Sequence, residues 1–121
     1  MTGRVTITPA TYRAMQAAQM REDALQAQVE QIARSLGWLV YHTHDSRRSA
    51  AGFPDVVAVH PRRGRIVWAE LKSGKGRVSD AQHEWLDALT EAGAEVYVWR
   101  PADLLSGAIL DVFARLAPTR G

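Results

Sequence analysis

The chain contains no cysteine, which excludes disulfides and thiolate-ligated metal centres. No apolar run approaches the ~20 residues needed to cross a bilayer. The first residues lack the basic, apolar, small-residue order of a secretory signal. Together these absences make an intracellular setting, the cytoplasm, the default expectation. No internal repeat or low-complexity tract is present. What is there, over 121 residues, is 46% hydrophobic and 23% charged, the composition of one globular domain with a single core.

The net charge is only +2, but acids are scarce where bases are dense. Residues 47–77 hold eight bases (Arg47, Arg48, Arg62, Arg63, Arg65, Lys72, Lys75, Arg77) against two acids, Asp55 and Glu70, a local net of +6. The rest of the chain carries −4. A basic segment on a mildly acidic body suits a polyanion such as nucleic acid, although an Arg-rich solvated loop surface has the same composition.

Residues 1–20 are weakly patterned and read as an N-terminal arm with some helical tendency, ahead of a single domain over 21–117. Leu25, Val29, Ile32, Ala33 and Leu36 recur at helical spacing, and Gly37 ends that pattern. Runs rich in β-formers at 38–43, 55–60, 65–72 and 95–100 read as strands. "PRRG" at 61–64 closes a hairpin between the second and third. Ser79 reads as an N-cap with Gln82 at the capping-box position, opening a helix that stops near Gly93. Pro101 breaks the last strand, and 103–116 reads as a closing helix. The expected class is α/β, in the order α-β-β-β-α-β-α, with helices on both sides of a mixed sheet.

Charges at the ends of two apolar strands demand an explanation. Side chains alternate along a strand, so Ile66, Trp68, Glu70 and Lys72 share one face. If His60 faces Arg65 across the turn, Asp55 falls opposite Glu70, and both carboxylates face one small volume. A buried carboxylate must be paired or must bind a cation. A rim pair of Glu70 with Lys72, and a turn role for Asp55, would satisfy that rule separately. The joint pattern points instead to a site for a hard divalent cation, Mg²⁺ or Mn²⁺, with Lys72 aimed into the same volume. An ammonium there can orient a water or stabilise charge developing on a phosphate.

"PD", a 14-residue gap and "ELK" resemble the PD-(D/E)XK nuclease signature, with Pro54-Asp55 and Glu70-Leu71-Lys72 in its places. The wider pattern is similar to the VRR-NUC branch of that superfamily. It includes "GFPD", "AELKSGKG", then S-x-x-Q-x-x-W-L-x-x-L-x-x-x-G and a closing "VYVWRP", over roughly residues 22–103. Members of this branch are stand-alone phage and bacterial proteins, or domains of eukaryotic repair nucleases. The resemblance implies a restriction-endonuclease-like α-β-β-β-α-β core and metal-dependent hydrolysis of DNA phosphodiesters, often at branched structures, in replication, recombination or repair. By the same resemblance Asp55 and Glu70 carry the metal, the Leu71 carbonyl completes its shell, and Lys72 assists the attacking water.

A first-helix acid is also implied. Glu22 lies near the centre of the apolar stripe of its helix, whereas Asp23 and Glu30 fall toward solvent, so Glu22 is favoured as a further metal-site acid. A carboxylate favoured by the helix dipole is the alternative. Gln82 has two conflicting readings, folded back as a cap or turned toward metal and phosphate, and the resemblance favours the second. His42 and His44 form an HxH pair beside Asp45, but without a third ligand a zinc site is not expected. DNA contacts are expected from His42, Ser46, Arg47 and Arg48 before the motif, and from Lys75 and Arg77 after it. Arg62, Arg63 and Arg65 fall in the hairpin turn, either on DNA or simply solvated. The four tryptophans (Trp38, Trp68, Trp85 and Trp99) are expected in the core.

Two rival functions stand beside a Mg²⁺- or Mn²⁺-dependent endonuclease. One is a non-cleaving DNA-binding module on a nuclease fold, against which the intact Asp55, Glu70 and Lys72 argue. The other is an interaction domain with neither DNA affinity nor metal-dependent stabilisation. A homodimer is expected if the substrate is a symmetric branched DNA. No small-molecule cofactor or membrane partner is expected.

Overall fold

Apolar residues at helical spacing on one segment and in short continuous runs along the strands assemble around one shared core. A computed structural model describes residues 7–43 and 50–117. The elements are α1 (Pro9–Gln19), α2 (Glu22–Ser35), β1 (Leu39–His42), β2 (Val56–His60), β3 (Arg65–Leu71), α3 (Asp80–Glu91), β4 (Glu95–Trp99), α4 (Pro101–Leu105) and α5 (Ala108–Ala114). The four strands form one mixed sheet in the order β1-β2-β3-β4. The first three run as an antiparallel meander, and β4 lies parallel to β3 after the α3 crossover. The sheet and its flanking helices form the expected α/β architecture.

The register of the β2–β3 hairpin is the expected one, with His60 opposite Arg65 and Val56 opposite Ala69. Its turn is a single 3₁₀ turn (Pro61–Arg63) closed by Gly64 in the left-handed region, φ 62°. The hairpin therefore places Asp55 and Glu70 at the same end of the sheet.

One face of the sheet presents Val56, Ala58, Val67, Ala69 and Leu71 to Leu25, Val29 and Ala33 of α2 and to Ile109, Val112 and Phe113 of α5. All of these are buried. Trp38 and Trp99 close this core, their rings meeting Phe113 edge-on. The opposite face carries Trp68, which packs with Trp85 of α3 around Phe53. Trp38 and Trp99 are thus core residues as expected, while Trp68 and Trp85 are only half-buried.

Two expectations need correction. Residues 9–19, read as part of an arm with some helical tendency, form a full helix that packs on α4 and buries Ala17. Its start is marked by Thr8 as N-cap, accepting from the Thr11 N–H, with Pro9 in the first turn. The closing helix over 103–116 is two helices. The first begins at Pro101 itself, a position where proline is tolerated because the missing N–H has no intrahelical partner anyway. Gly107, at φ 85°, then turns the chain into α5. No helix among the described residues is long and apolar enough to cross a membrane.

Candidate active site

Asp55 immediately precedes β2, and one of its oxygens, Oδ2, accepts the Leu71 N–H at 2.8 Å. That bond ties the start of one hairpin strand to the end of the other. The Asp55 carbonyl in turn accepts the Thr43 N–H at 2.9 Å, and Thr43 Oγ1 donates to the Pro54 carbonyl at 3.1 Å. The position of Asp55 is therefore set by three strands. Glu70, one residue before the end of β3, is 1% exposed. Lys72 follows on the same side, its N–H donated to the Trp99 carbonyl at 2.9 Å.

Glu70 is electrostatically unusual. Burial first, then the adjacent Asp55 carboxylate, push its carboxyl up to about 9, and Glu22 adds a smaller push in the same direction. Lys72 pulls the other way without offsetting them. Glu70 Oε1 accepts from Gln82 Nε2 at 3.1 Å, whereas Oε2 is buried with no hydrogen-bond donor among the described residues. Gln82 meanwhile completes the α3 capping box. Its Oε1 accepts the Ser79 N–H at 2.9 Å, and Ser79 Oγ accepts the Gln82 N–H at 3.2 Å. Gln82 is thus the helix cap and, through the other end of its amide, a donor to Glu70.

Beside the carboxylates lies an open cleft of about 510 Å³, lined by Arg21, Glu22, Asp23, Gln26, Asp55, Leu71 and Ser73. Glu22 stands exposed at the N-terminus of α2 and shares this cleft with Asp55. Asp23 is exposed beside Arg21, 3.5 Å away. Glu30 departs from expectation. It is not directed to solvent but half-buried, meeting Arg34 at 3.0 Å, Gln26 Nε2 at 3.3 Å and His42 Nε2 at 4.0 Å. Partners on the same helix and on β1 hold it there.

The basic residues divide by location. Lys75 and Arg77 are exposed in the loop after β3. His42 is half-buried on β1 near Glu30. Ser46, Arg47 and Arg48 lie outside the described residues, as do His44 and Asp45. Arg65 is a structural residue, 1% exposed. Its guanidinium pairs with both oxygens of Glu95 and donates to the Val112 and Arg115 carbonyls at 2.7 and 2.8 Å. It also lies over the Trp38 ring, 5.0 Å from the centroid. Arg63 donates to the Phe113 carbonyl at 2.8 Å. Both cations therefore cap the C-terminus of α5, at the hairpin's opposite end, where the helix dipole favours them. Arg62 alone of the three is exposed.

Two site-shaping residues carried little signal in the sequence. Gly52, at φ 79°, lies so close to the α3 N-terminus that a Cβ there would come within 2.2 Å of the Ala81 carbonyl carbon and 2.5 Å of the Gln82 nitrogen. Only the glycine in "GFPD" hinted at it. Arg100 reaches back to the loop after Lys72, donating to the carbonyls of Ser73 at 2.8 Å and Gly76 at 2.6 Å.

The donor set fits a hard divalent cation. Glu70 has a buried oxygen without a partner, a second carboxylate stands beside it, and Leu71 lines the same cleft. Among the described residues no three histidine or acidic side chains converge to hold an ion by themselves. Asp55 and Glu70 would therefore share an ion with backbone oxygen and water.

The VRR-NUC domain family model matches residues 5–103. A solved structure described as a VRR_NUC domain superposes with a TM-score of 0.60 at 26% identity, covering 73% of this chain and 92% of that one. A Fanconi-associated nuclease 1 homolog from Schizosaccharomyces pombe is 32% identical over 56 residues. That match covers 46% of this chain and only 8% of the relative, so the likeness concerns a domain and not the whole protein. The matched span takes in the hairpin, the α3 glutamine and the final strand, and the chain belongs to the VRR-NUC domain family, which supports a nuclease function.

Proposed function

We propose that the chain is a Mg²⁺- or Mn²⁺-dependent DNA endonuclease that hydrolyses phosphodiester bonds, selective for branched or junction DNA. The observation that carries this reading is the pairing of Asp55 with the buried, half-satisfied Glu70 beside Lys72. Asp55, Glu70 and the Leu71 carbonyl would hold the divalent cation, which would supply Lewis acidity toward the phosphate and acidify water.

The chain's own groups do the rest. Lys72 orients the attacking water and offsets charge gathering on the phosphate. Gln82 holds Glu70 in one rotamer from the far side of its carboxylate. Glu22, at the cleft rim, acts on the site's outer water. Lys75 and Arg77 contact backbone phosphates, with His42, Ser46, Arg47 and Arg48 extending that contact before the motif. A homodimer would apply two such sites to a symmetric junction. The setting proposed is DNA replication, recombination or repair in the cytoplasm of a bacterium or its phage.

The test is a panel of linear, flapped, single-stranded and four-way DNA incubated with Mg²⁺ or Mn²⁺. Branched substrates are cleaved by the native protein and left intact by Asp55→Ala and Glu70→Ala. Equal cleavage by both variants would falsify the assignment. A salt-sensitive gel shift without cleavage under any divalent metal would make it a binding module instead.

A further inference from the structure

Arg100 is the N-cap of α4, directly after β4, and within the "VYVWRP" stretch it has so far been given no role. Its backbone is held twice. Trp99 pairs with Leu71 in the parallel β3–β4 ladder, and the Arg100 N–H is accepted by Asp103 Oδ2 at 2.8 Å. From that anchored base the guanidinium donates, through one nitrogen, to two carbonyls of the loop that follows Lys72, those of Ser73 and Gly76. The same loop is closed on itself by the Gly76 N–H, which donates to Ser73 Oγ at 3.0 Å.

What this loop touches gives the contact its meaning. A Cβ built on Gly76 would lie 3.1 Å from Ser73 Oγ, 3.4 Å from Lys72 Cδ and 3.5 Å from Glu22 Oε1. Gly76 thus faces the stem of the cationic residue and the first-helix carboxylate, and the course of this turn sets the space in which both side chains lie. The two N–H groups of that one nitrogen serve both carbonyls at once, so a single side chain ties the two ends of the turn together.

We infer that Arg100 is a positioning residue for hydrolysis, setting the Lys72 ammonium and the Glu22 carboxylate by clamping the 73–76 turn. The inference rests on the nuclease reading above. It differs from a phosphate contact in its signature, because a clamp acts on the rate of the chemical step and a phosphate contact acts on DNA affinity. It differs from a purely structural role in being coupled to Gly76.

The experiment compares native protein, Arg100→Gln, Gly76→Ala and the double variant, by melting and by steady-state cleavage of one substrate in Mn²⁺. Arg100→Gln should lower kcat by about tenfold, the scale of a small misplacement of reacting groups, with KM within about twofold. Gly76→Ala presses on Ser73 Oγ, the acceptor that closes the turn, and by disturbing that turn should also lower kcat. The double variant should lose no more than about the larger single effect, since both act through one loop. Multiplicative losses, a raised KM at unchanged kcat, or losses that only follow melting temperature would each overturn the inference while leaving the nuclease reading intact. If the native protein cleaves nothing in this assay, both fall together. Amide exchange at 73–76 gives a second readout: faster exchange in Arg100→Gln supports the clamp, and unchanged exchange overturns it.

Discussion

Gln82 Nε2 donates to Glu70 Oε1 at 3.1 Å while Gln82 Oε1 accepts the Ser79 N–H at 2.9 Å. One planar amide therefore joins the start of α3 to the buried carboxylate. The two roles are compatible because a primary amide has a donor end and an acceptor end, and the capping box needs only the acceptor. Gln82→Glu keeps that acceptor but replaces the donor with a carboxylate facing Glu70. Cleavage should fall roughly 10–100-fold, the usual scale for a residue that orients a metal ligand. Ser79→Ala should cost about 1 kcal/mol of stability through the lost cap, with a smaller loss of rate. Single-turnover rates and thermal melts on both variants check this.

The Glu70 carboxyl gives the metal-free protein a particular pH dependence. Its ordinary value is 4.5 and its value in the fold is about 9, so between those limits the folded state holds a proton that the unfolded chain has released. The associated stability is fully present below about pH 4.5 and is lost as pH rises toward about 9. Glu70→Gln should flatten this slope and leave the metal-free variant more stable than native protein at pH 8. Added Mn²⁺ should stabilise the native protein with release of protons and leave Glu70→Gln unmoved. Melts in chelator and in Mn²⁺ across pH 5–9 decide the matter.

Gly52 should not tolerate a side chain. Its φ of 79° is strained for other residues, and a Cβ would meet the backbone of Ala81 and Gln82 rather than a yielding side chain. Gly52→Ala should cost roughly 2–4 kcal/mol from strain and overpacking together. Because the collision falls at the Gln82 nitrogen, the rate should drop even below the melting transition. Retention of native melting and native rate would show that the α3 N-terminus is free to move away.

The basic residues should separate into two classes. Arg65→Met leaves Glu95 buried with, among the described residues, Tyr97 Oη donating to it, and uncaps α5, so a loss of about 3–5 kcal/mol is expected. DNA affinity at temperatures where the variant stays folded should not change. Lys75→Ala and Arg77→Ala should leave melting unchanged, weaken DNA binding, and each reduce the slope of log affinity against log salt by about 1. Binding isotherms at several salt concentrations distinguish the classes.

Local pattern made much of this legible. The hairpin register follows from an apolar alternation and a short turn, and it alone brings Asp55 level with Glu70. The α3 cap follows from Ser79 and Gln82 three residues apart. Helix α1 was less legible because its stability comes from packing on α4, which its own sequence does not encode. Arg65 was misleading for a related reason. A guanidinium in a turn reads as surface until its partner, Glu95, arrives from a strand thirty residues away.

By itself the sequence determined which groups are candidates for the chemistry: two carboxylates and an ammonium at the end of a strand pair, where side-chain alternation puts them on one face. Only the tertiary structure decided how those groups are held. The Gln82 bridge, the Gly52 approach and the Arg100 clamp each join segments that no local periodicity relates. Such contacts arise when helices dock on a finished sheet, and docking depends on the whole core.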